Sequence, residues 1–185
     1  MSIEANSRER LLAAGYSLIG ACGYTNTGLS DILVEAGVPK GSFYHHFASK
    51  EAFGLQVVDR YAAQAVGELD RWLAREDLPP LGRMHGFFTA MIGDFCGSGY
   101  RRGCLLGNLG QELADTSEAF RLRIDAHLER MIERLAGALG SRRQAEAIMN
   151  GWHGALMRMK VSKSDAPLQA FVEHHFGEPD QDRAA

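Results

Sequence analysis

The sequence predicts an all-α protein. Apolar residues recur at intervals of three and four along most of the 185 residues, the spacing that places them on one face of a helix. No stretch alternates apolar and polar residues for long enough to indicate a strand. Only five prolines occur, too few to break this helical pattern.

Capping and breaking residues mark the helix boundaries. Asn6, with Glu9 three residues on, resembles a capping box, so the first helix is expected to begin there or at Ser7. Ser49 can cap a fourth helix, and the prolines at 79 and 80 stop it. The predicted helices cover residues 6–22, 29–36, 39–47, 49–75, 81–96, 104–114, 116–139, 142–160 and 166–176.

The segment from Leu29 to Phe47 predicts a helix-turn-helix. Gly37 permits the left-handed backbone of a tight turn, and Ala36 is small enough for two helices to approach closely. The second helix, from about Pro39, presents a surface that suits the major groove of DNA. That surface combines short donors, a cation and aromatic side chains with polar tips: Lys40, Gly41, Ser42, Tyr44, His45 and His46.

This region resembles the TetR/AcrR family of transcriptional regulators across residues 8–60. The matching residues are Gly23-Tyr24 with Thr27, Asp31-Ile32, Ala36-Gly37-Val38, Lys40-Gly41-Ser42, Tyr44 to Phe47 and Ser49-Lys50-Glu51. The resemblance implies a three-helix DNA-binding domain over residues 1–48, with its motif at about 28–47. A long fourth helix would join it to a helical ligand-binding and dimerisation domain over residues 49–176, followed by a flexible tail at 177–185.

The resemblance also implies roles for individual residues. Thr27, Tyr44 and Lys50 would contact phosphates. Pro39 stands where a serine is frequent, and it cannot donate a hydroxyl hydrogen bond. The alternative is that Tyr44 and the two histidines merely cover a helical core. The residues expected at the floor or rim of the groove are Lys40, Gly41, Ser42 and His45.

The charge does not by itself indicate DNA binding. The formal net charge is −3, and residues 1–60 contain five basic and six acidic side chains. Any affinity for DNA must therefore come from a local arrangement of cations, donors and helix ends.

A second informative stretch surrounds Cys104. Cys104 follows two arginines and begins a predicted helix, and both features stabilise a thiolate. The sequence Gly103-Cys104-Leu105, followed by Leu109 and Glu112, resembles a TetR subgroup that includes repressors responding to N-ethylmaleimide and to acrylate. This implies that Cys104 senses an electrophile or oxidant, or lies beside a small-carboxylate pocket. The alternative is a buried, unreactive thiol.

Other residues are candidates for the effector pocket. Phe88, Met91 and Phe95 fall on one stripe of the fifth helix, although such a stripe also fits plain core. Trp152 could reach a ligand from the eighth helix, and Arg101 would suit an anionic effector. Of the other cysteines, Cys22 is expected in the core, and Cys96 could lie in the core or at the pocket.

The resemblance further implies a homodimer formed by the helices at about 142–160 and 166–176. Gly151, Gly154 and Ala155 would permit close helix approach. The alternative is that the apolar residues of these helices pack inside the monomer. Those expected to supply the apolar area are Ile148, Trp152, Leu156, Phe171 and Val172.

The resulting prediction is a small-molecule-responsive repressor that binds a palindromic operator in double-stranded DNA. The alternatives are a DNA-binding protein without an effector and a cysteine-dependent enzyme that pairs Cys104 with His127 or His153. No catalytic residue, cofactor or metal site is expected, because three cysteines without CxxC spacing fit neither zinc nor a disulfide framework. No apolar run is long enough to span a membrane, and a cytoplasmic location is expected.

Overall fold

A computed structural model describes residues 3–177, and all regular secondary structure in that range is helical, which confirms the predicted fold class. Side chains are described from Ser7 onward. None of the described helices combines the length and apolar character needed to cross a membrane. The helices are α1 (Ile3–Cys22), α2 (Leu29–Ala36), α3 (Lys40–His46), α4 (Lys50–Leu73), α5 (Pro80–Gly97), α6 (Leu105–Leu113), α7 (Glu118–Leu139), α8 (Arg142–Ser162) and α9 (Ala166–Phe176).

Six of the predicted helix starts differ from the observed ones, by one to three residues. Helix α1 already begins at Ile3, so Asn6 lies inside the helix and does not cap it. Pro39 is the residue before α3 and not its first helical residue; its ψ of 152° is extended. Helix α7 begins at Glu118 and not at residue 116, and it is preceded by Ser117, whose hydroxyl accepts from the Phe120 amide at 3.4 Å.

The described chain divides into two compact units, and their boundaries differ from the predicted ones. One unit contains the described residues up to Ala63 together with Leu105–His127, and the other contains Gln64–Cys104 and the described residues from Leu128 onward. The division after Ala63 falls inside α4 and not after residue 48, because the first turns of α4 belong to the N-terminal core, in which Phe53 is fully buried. Of the predicted tail at 177–185, residues 178–185 lie outside the described residues.

The N-terminal unit is built around an aromatic cluster. Phe43 of α3 lies with its ring centroid 5.3 Å from those of Phe47 and Phe53, and all three rings are buried. Gly37 ends α2 in the left-handed conformation with φ of 58°, which turns the chain sharply into α3. Helix α3 is therefore held in place by its buried aromatic face.

The second unit also has an aromatic core, to which α5, α8 and α9 contribute. The Phe88 ring lies 4.9 Å from Trp152 and 5.3 Å from Phe171 between centroids. The apolar residues expected at a dimer interface lie in this core instead. Ile148, Trp152, Leu156, Phe171 and Val172 are all buried within the single chain, so that expectation is wrong for these side chains.

Candidate DNA-binding surface and cysteine site

Helix α3 presents a polar face opposite its buried aromatic side. Lys40, Gly41 and His45 are exposed, and Tyr44 is 53% exposed although its ring lies 5.4 Å from the ring of Phe43. Burial of Phe43 on one side of the helix thus orients these residues outward on the other. Ser42 and His46 are half-buried at the edge of the same face.

The start of α3 lacks a side-chain cap. Pro39 is exposed and makes no side-chain hydrogen bond to the first turn, and its carbonyl accepts from the Ser42 amide at 3.0 Å. A hydroxyl at this position could have capped the helix or reached a phosphate, and proline can do neither. Lys40, Ser42 and the backbone supply polar groups at this end of the helix.

Thr27 is buried, whereas a phosphate contact requires an exposed side chain. Its side chain is 2% exposed, and its hydroxyl donates to the Gly23 carbonyl at 2.6 Å. The hydroxyl hydrogen is thus used inside the protein. Thr27 shapes the loop that joins α1 to α2, and the phosphate contact implied for it stays a prediction.

Lys50 lies at the start of α4 and contacts the same loop. Its ammonium donates to the Tyr24 carbonyl at 2.9 Å and lies 4.4 Å from the centre of the Tyr24 ring. The position is half-buried. Lys50 therefore has a partner inside the protein in this conformation, and a contact with phosphate would require its side chain to share or leave that carbonyl.

The sequence did not single out a role for Glu112 of α6, which completes this arrangement. Its two carboxylate oxygens accept from the backbone amides of Tyr24, at 3.0 Å, and Thr25, at 2.6 Å. Burial raises the pKa of Glu112, but the hydrogen bonds from Thr25 and Tyr24 and the charge of Lys50 outweigh it, so the net pKa lies below the usual value. No pattern in the sequence could reveal this contact, because its partners are backbone groups.

In the second unit, Cys104 and His153 lie close enough for their side chains to interact. A hydrogen bond with Cys104 raises the pKa of His153, burial opposes the rise, and Coulombic attraction to the thiolate adds to it. The Nε2 atom of His153 is buried and has no hydrogen-bond partner among the described residues. This pairing is one of the two that the sequence left open, whereas His127 bonds to Asp59 at 2.7 Å.

The other cysteines differ in their exposure. Cys22, expected in the core, is exposed, because it is the last residue of α1 and extends past the residues that the helix buries. Cys96 and Cys104 are half-buried, and all three residues are thiols. Within the described residues, no group of histidine, cysteine and acidic side chains could hold a metal ion.

The remaining effector candidates lie mainly in the core. Phe88, Phe95 and Trp152 are buried and contact one another through the aromatic cluster, Met91 is half-buried, and Arg101 is exposed. A cavity of about 430 Å³ in the same unit has a different lining, which includes Asp70, Arg83, Glu133 and Arg134 and none of these candidates. Their role in binding an effector stays a prediction.

Comparisons with known proteins agree with this architecture. The family described as bacterial regulatory proteins, tetR family, matches residues 11–57, and the LmrA/YxaF-like transcriptional regulator C-terminal domain matches residues 80–174. The chain is 35% identical over 184 residues to the HTH-type transcriptional repressor NemR of Escherichia coli K12, covering 92% of each protein. It is also 35% identical over 179 residues to the transcriptional regulator AcuR of Cereibacter sphaeroides, covering 90% of this chain and 82% of AcuR.

Solved structures show the same fold. A regulatory protein TetR from Rhodobacter sphaeroides superposes with a TM-score of 0.87 at 34% identity, covering 92% of this chain and 98% of the other. The reduced form of NemR from E. coli superposes with a TM-score of 0.84 at 34% identity, covering 91% and 94%. The chain belongs to the TetR family of DNA-binding transcriptional regulators.

Proposed function

We propose that this regulator binds a palindromic operator through the exposed face of α3 and is released when Cys104 reacts with a small electrophile. The observation that supports the DNA-binding part is the two-sided character of α3, with Phe43 buried and Lys40, Tyr44 and His45 outward. A dimer would place two such helices in successive major grooves, about 34–36 Å apart.

Helix α8 offers a surface for the second copy. Met157 is 54% exposed and Val161 is 77% exposed, and Gly154 lies one turn before Met157 with open space around it. These three residues share one face of α8 because they are three and four residues apart. Apolar side chains beside a glycine are typical of a face that a neighbouring helix covers. We therefore place the dimer contact here and not at the buried residues named from the sequence.

The effector class follows from the contact between Cys104 and His153. His153 can take the thiol proton, and the resulting thiolate can add to the β-carbon of an α,β-unsaturated carbonyl compound. A sulfur–carbon bond then forms, the carbon–carbon π bond breaks, and the proton passes from the imidazolium to the α-carbon. The buried Nε2 atom of His153, which has no partner in the part of the chain that the structure describes, is a suitable donor for the carbonyl oxygen in this reaction. A lasting, stoichiometric adduct distinguishes this device from a cysteine-dependent enzyme, which would release a product.

DNA binding is tested by titrating fluorescent DNA from immediately upstream of the chain's own coding sequence. We expect wild-type protein to bind this DNA, with an affinity that falls steeply as salt is raised because phosphate contacts release counterions. Lys40→Ala should weaken binding at least about tenfold, since a dimer loses two groove contacts. Arg121→Ala, which removes an exposed cation paired with Glu118 on α7, should leave binding unchanged. Failure of wild-type protein to retard this DNA at low salt would contradict the proposal.

A further inference from the structure

Glu112, in the last turn of α6, binds the loop between α1 and α2 through its carboxylate. Glu112 accepts from two successive amides, Tyr24 at 3.0 Å and Thr25 at 2.6 Å. Both bonds run from a neutral donor to an ionised acceptor, which makes them stronger than ordinary amide hydrogen bonds. The loop backbone fits closely against the carboxylate: a Cβ on Gly23 would lie 2.7 Å from its Oε2 atom.

Lys50 binds the other side of the same peptide segment. Its ammonium donates to the Tyr24 carbonyl at 2.9 Å, so the amide and the carbonyl of Tyr24 are both held by charged side chains. The positive charge of Lys50 also lowers the pKa of Glu112. Glu112, Lys50 and Tyr24 thus form one cluster that joins α6, α4 and the loop. We call this cluster the Glu112 clamp.

The clamped loop leads directly into the helix-turn-helix. Thr27 is buried in it, with its hydroxyl bonded to the Gly23 carbonyl. The next residue, Gly28, precedes α2, and its amide donates to Asp31 at 3.0 Å. A shift of Glu112 would therefore move the start of α2, which opens the helix-turn-helix, and Lys50, which is a predicted phosphate contact.

We propose that Glu112 is a positioning residue for DNA binding. Through the Glu112 clamp, it fixes the position of the α1–α2 loop and of the Lys50 side chain. Helix α6 begins at Leu105, the residue after Cys104, so the clamp also lies at the far end of the helix that follows the reactive thiol. This inference rests on the proposed function, because it states how the DNA-binding surface is held.

The test compares Glu112→Gln with Glu118→Gln. The first substitution keeps the size of the side chain but removes its charge and replaces one acceptor oxygen by a donor. The second removes an exposed carboxylate that accepts two hydrogen bonds from Arg121 on the same helix. Three quantities are measured on the full chain: amide hydrogen exchange at Tyr24 and Thr25, the melting temperature, and affinity for the upstream DNA.

We expect Glu112→Gln to speed exchange of the two amides about tenfold and to weaken DNA binding about tenfold, with Glu118→Gln like wild type. Glu112→Asp, which keeps the charge but shortens the side chain, should give an intermediate loss of affinity, and it replaces the glutamine variant if that variant does not fold. If Glu112 only stabilised the fold, its substitution would lower the melting temperature but not the affinity of the folded protein for DNA.

Two results would overturn the inference. One is unchanged exchange at Tyr24 and Thr25 in the Glu112 variants, and the other is faster exchange with wild-type affinity for DNA. Wild-type protein that binds no DNA would instead contradict the proposed function, and this inference with it, so the wild-type titration separates the two kinds of failure.

Discussion

Phe43→Ala should destabilise the N-terminal unit by about 3–5 kcal/mol, the range for removing a buried aromatic ring. The Phe43 side chain has no exposed surface, and its ring lies within contact of those of Tyr44, Phe47 and Phe53. Its removal takes away the surface on which α3 rests. Urea unfolding followed by circular dichroism should show the loss, and binding of the upstream DNA should fall with it.

Tyr44→Phe is the matched control for this substitution. Tyr44 is 53% exposed and contacts the same ring, but the change removes only a hydroxyl from the outer face of α3. Its stability should stay within about 0.5 kcal/mol of wild type, as for most surface changes. Its affinity for DNA should still fall because a predicted phosphate contact is lost. Equal stability of the Phe43 and Tyr44 variants would show that Phe43 does not support the recognition helix.

His153→Leu should slow the reaction of Cys104 with N-ethylmaleimide about tenfold or more at pH 7. A cysteine thiol without a basic partner has a pKa near 8.5, so only a few per cent of it is the reactive thiolate at neutral pH. The hydrogen bond with Cys104 raises the pKa of His153, which favours the imidazolium form that would stabilise a Cys104 thiolate. The rate is measured by mass spectrometry of the peptides that contain each cysteine.

The pH dependence gives the second readout for His153. The pair stabilises the thiolate at pH values below the raised pKa of His153, and this stabilisation is lost as the pH rises through that pKa. The wild-type rate should therefore decline only slowly as the pH falls from 8 to 6, whereas the variant should slow about tenfold per unit. Cys22, exposed on α1, reports the behaviour of a cysteine elsewhere in the same sample. Equal rates for Cys104 with and without His153 would remove the imidazole from the mechanism.

The helix-turn-helix could be predicted because its determinants are local. Gly37 supplies a left-handed turn, and the spacing of Ile32, Val38 and Phe43 identifies the buried side of two short helices. Short-range rules of this kind also placed α9, whose bounds match the predicted residues 166–176. These features depend on neighbours in the sequence, so one chain suffices to find them.

The features that could not be predicted depend on distant partners. The spacing of Trp152 and Phe171 shows an apolar helix face but not whether that face meets the same chain or a second copy, and the structure buries both. Cys22 was assigned to the core from its periodicity, but a helix end can pass beyond the core it helps to cover. Glu112 is separated by more than 80 residues from the amides that it binds. Contacts between residues so far apart produce no periodic pattern in the sequence.

Simultaneous measurement of Cys104 modification and DNA occupancy tests the proposed release most directly. Wild-type protein bound to its upstream DNA is treated with increasing N-ethylmaleimide, and each sample is divided between mass spectrometry and fluorescence anisotropy. Cys104→Ser serves as the unreactive control, and Cys22→Ser removes the exposed thiol. We expect the bound fraction to fall in proportion to the adduct on Cys104, with no release from Cys104→Ser and normal release from Cys22→Ser. Complete modification of Cys104 with undiminished DNA binding would contradict the proposal.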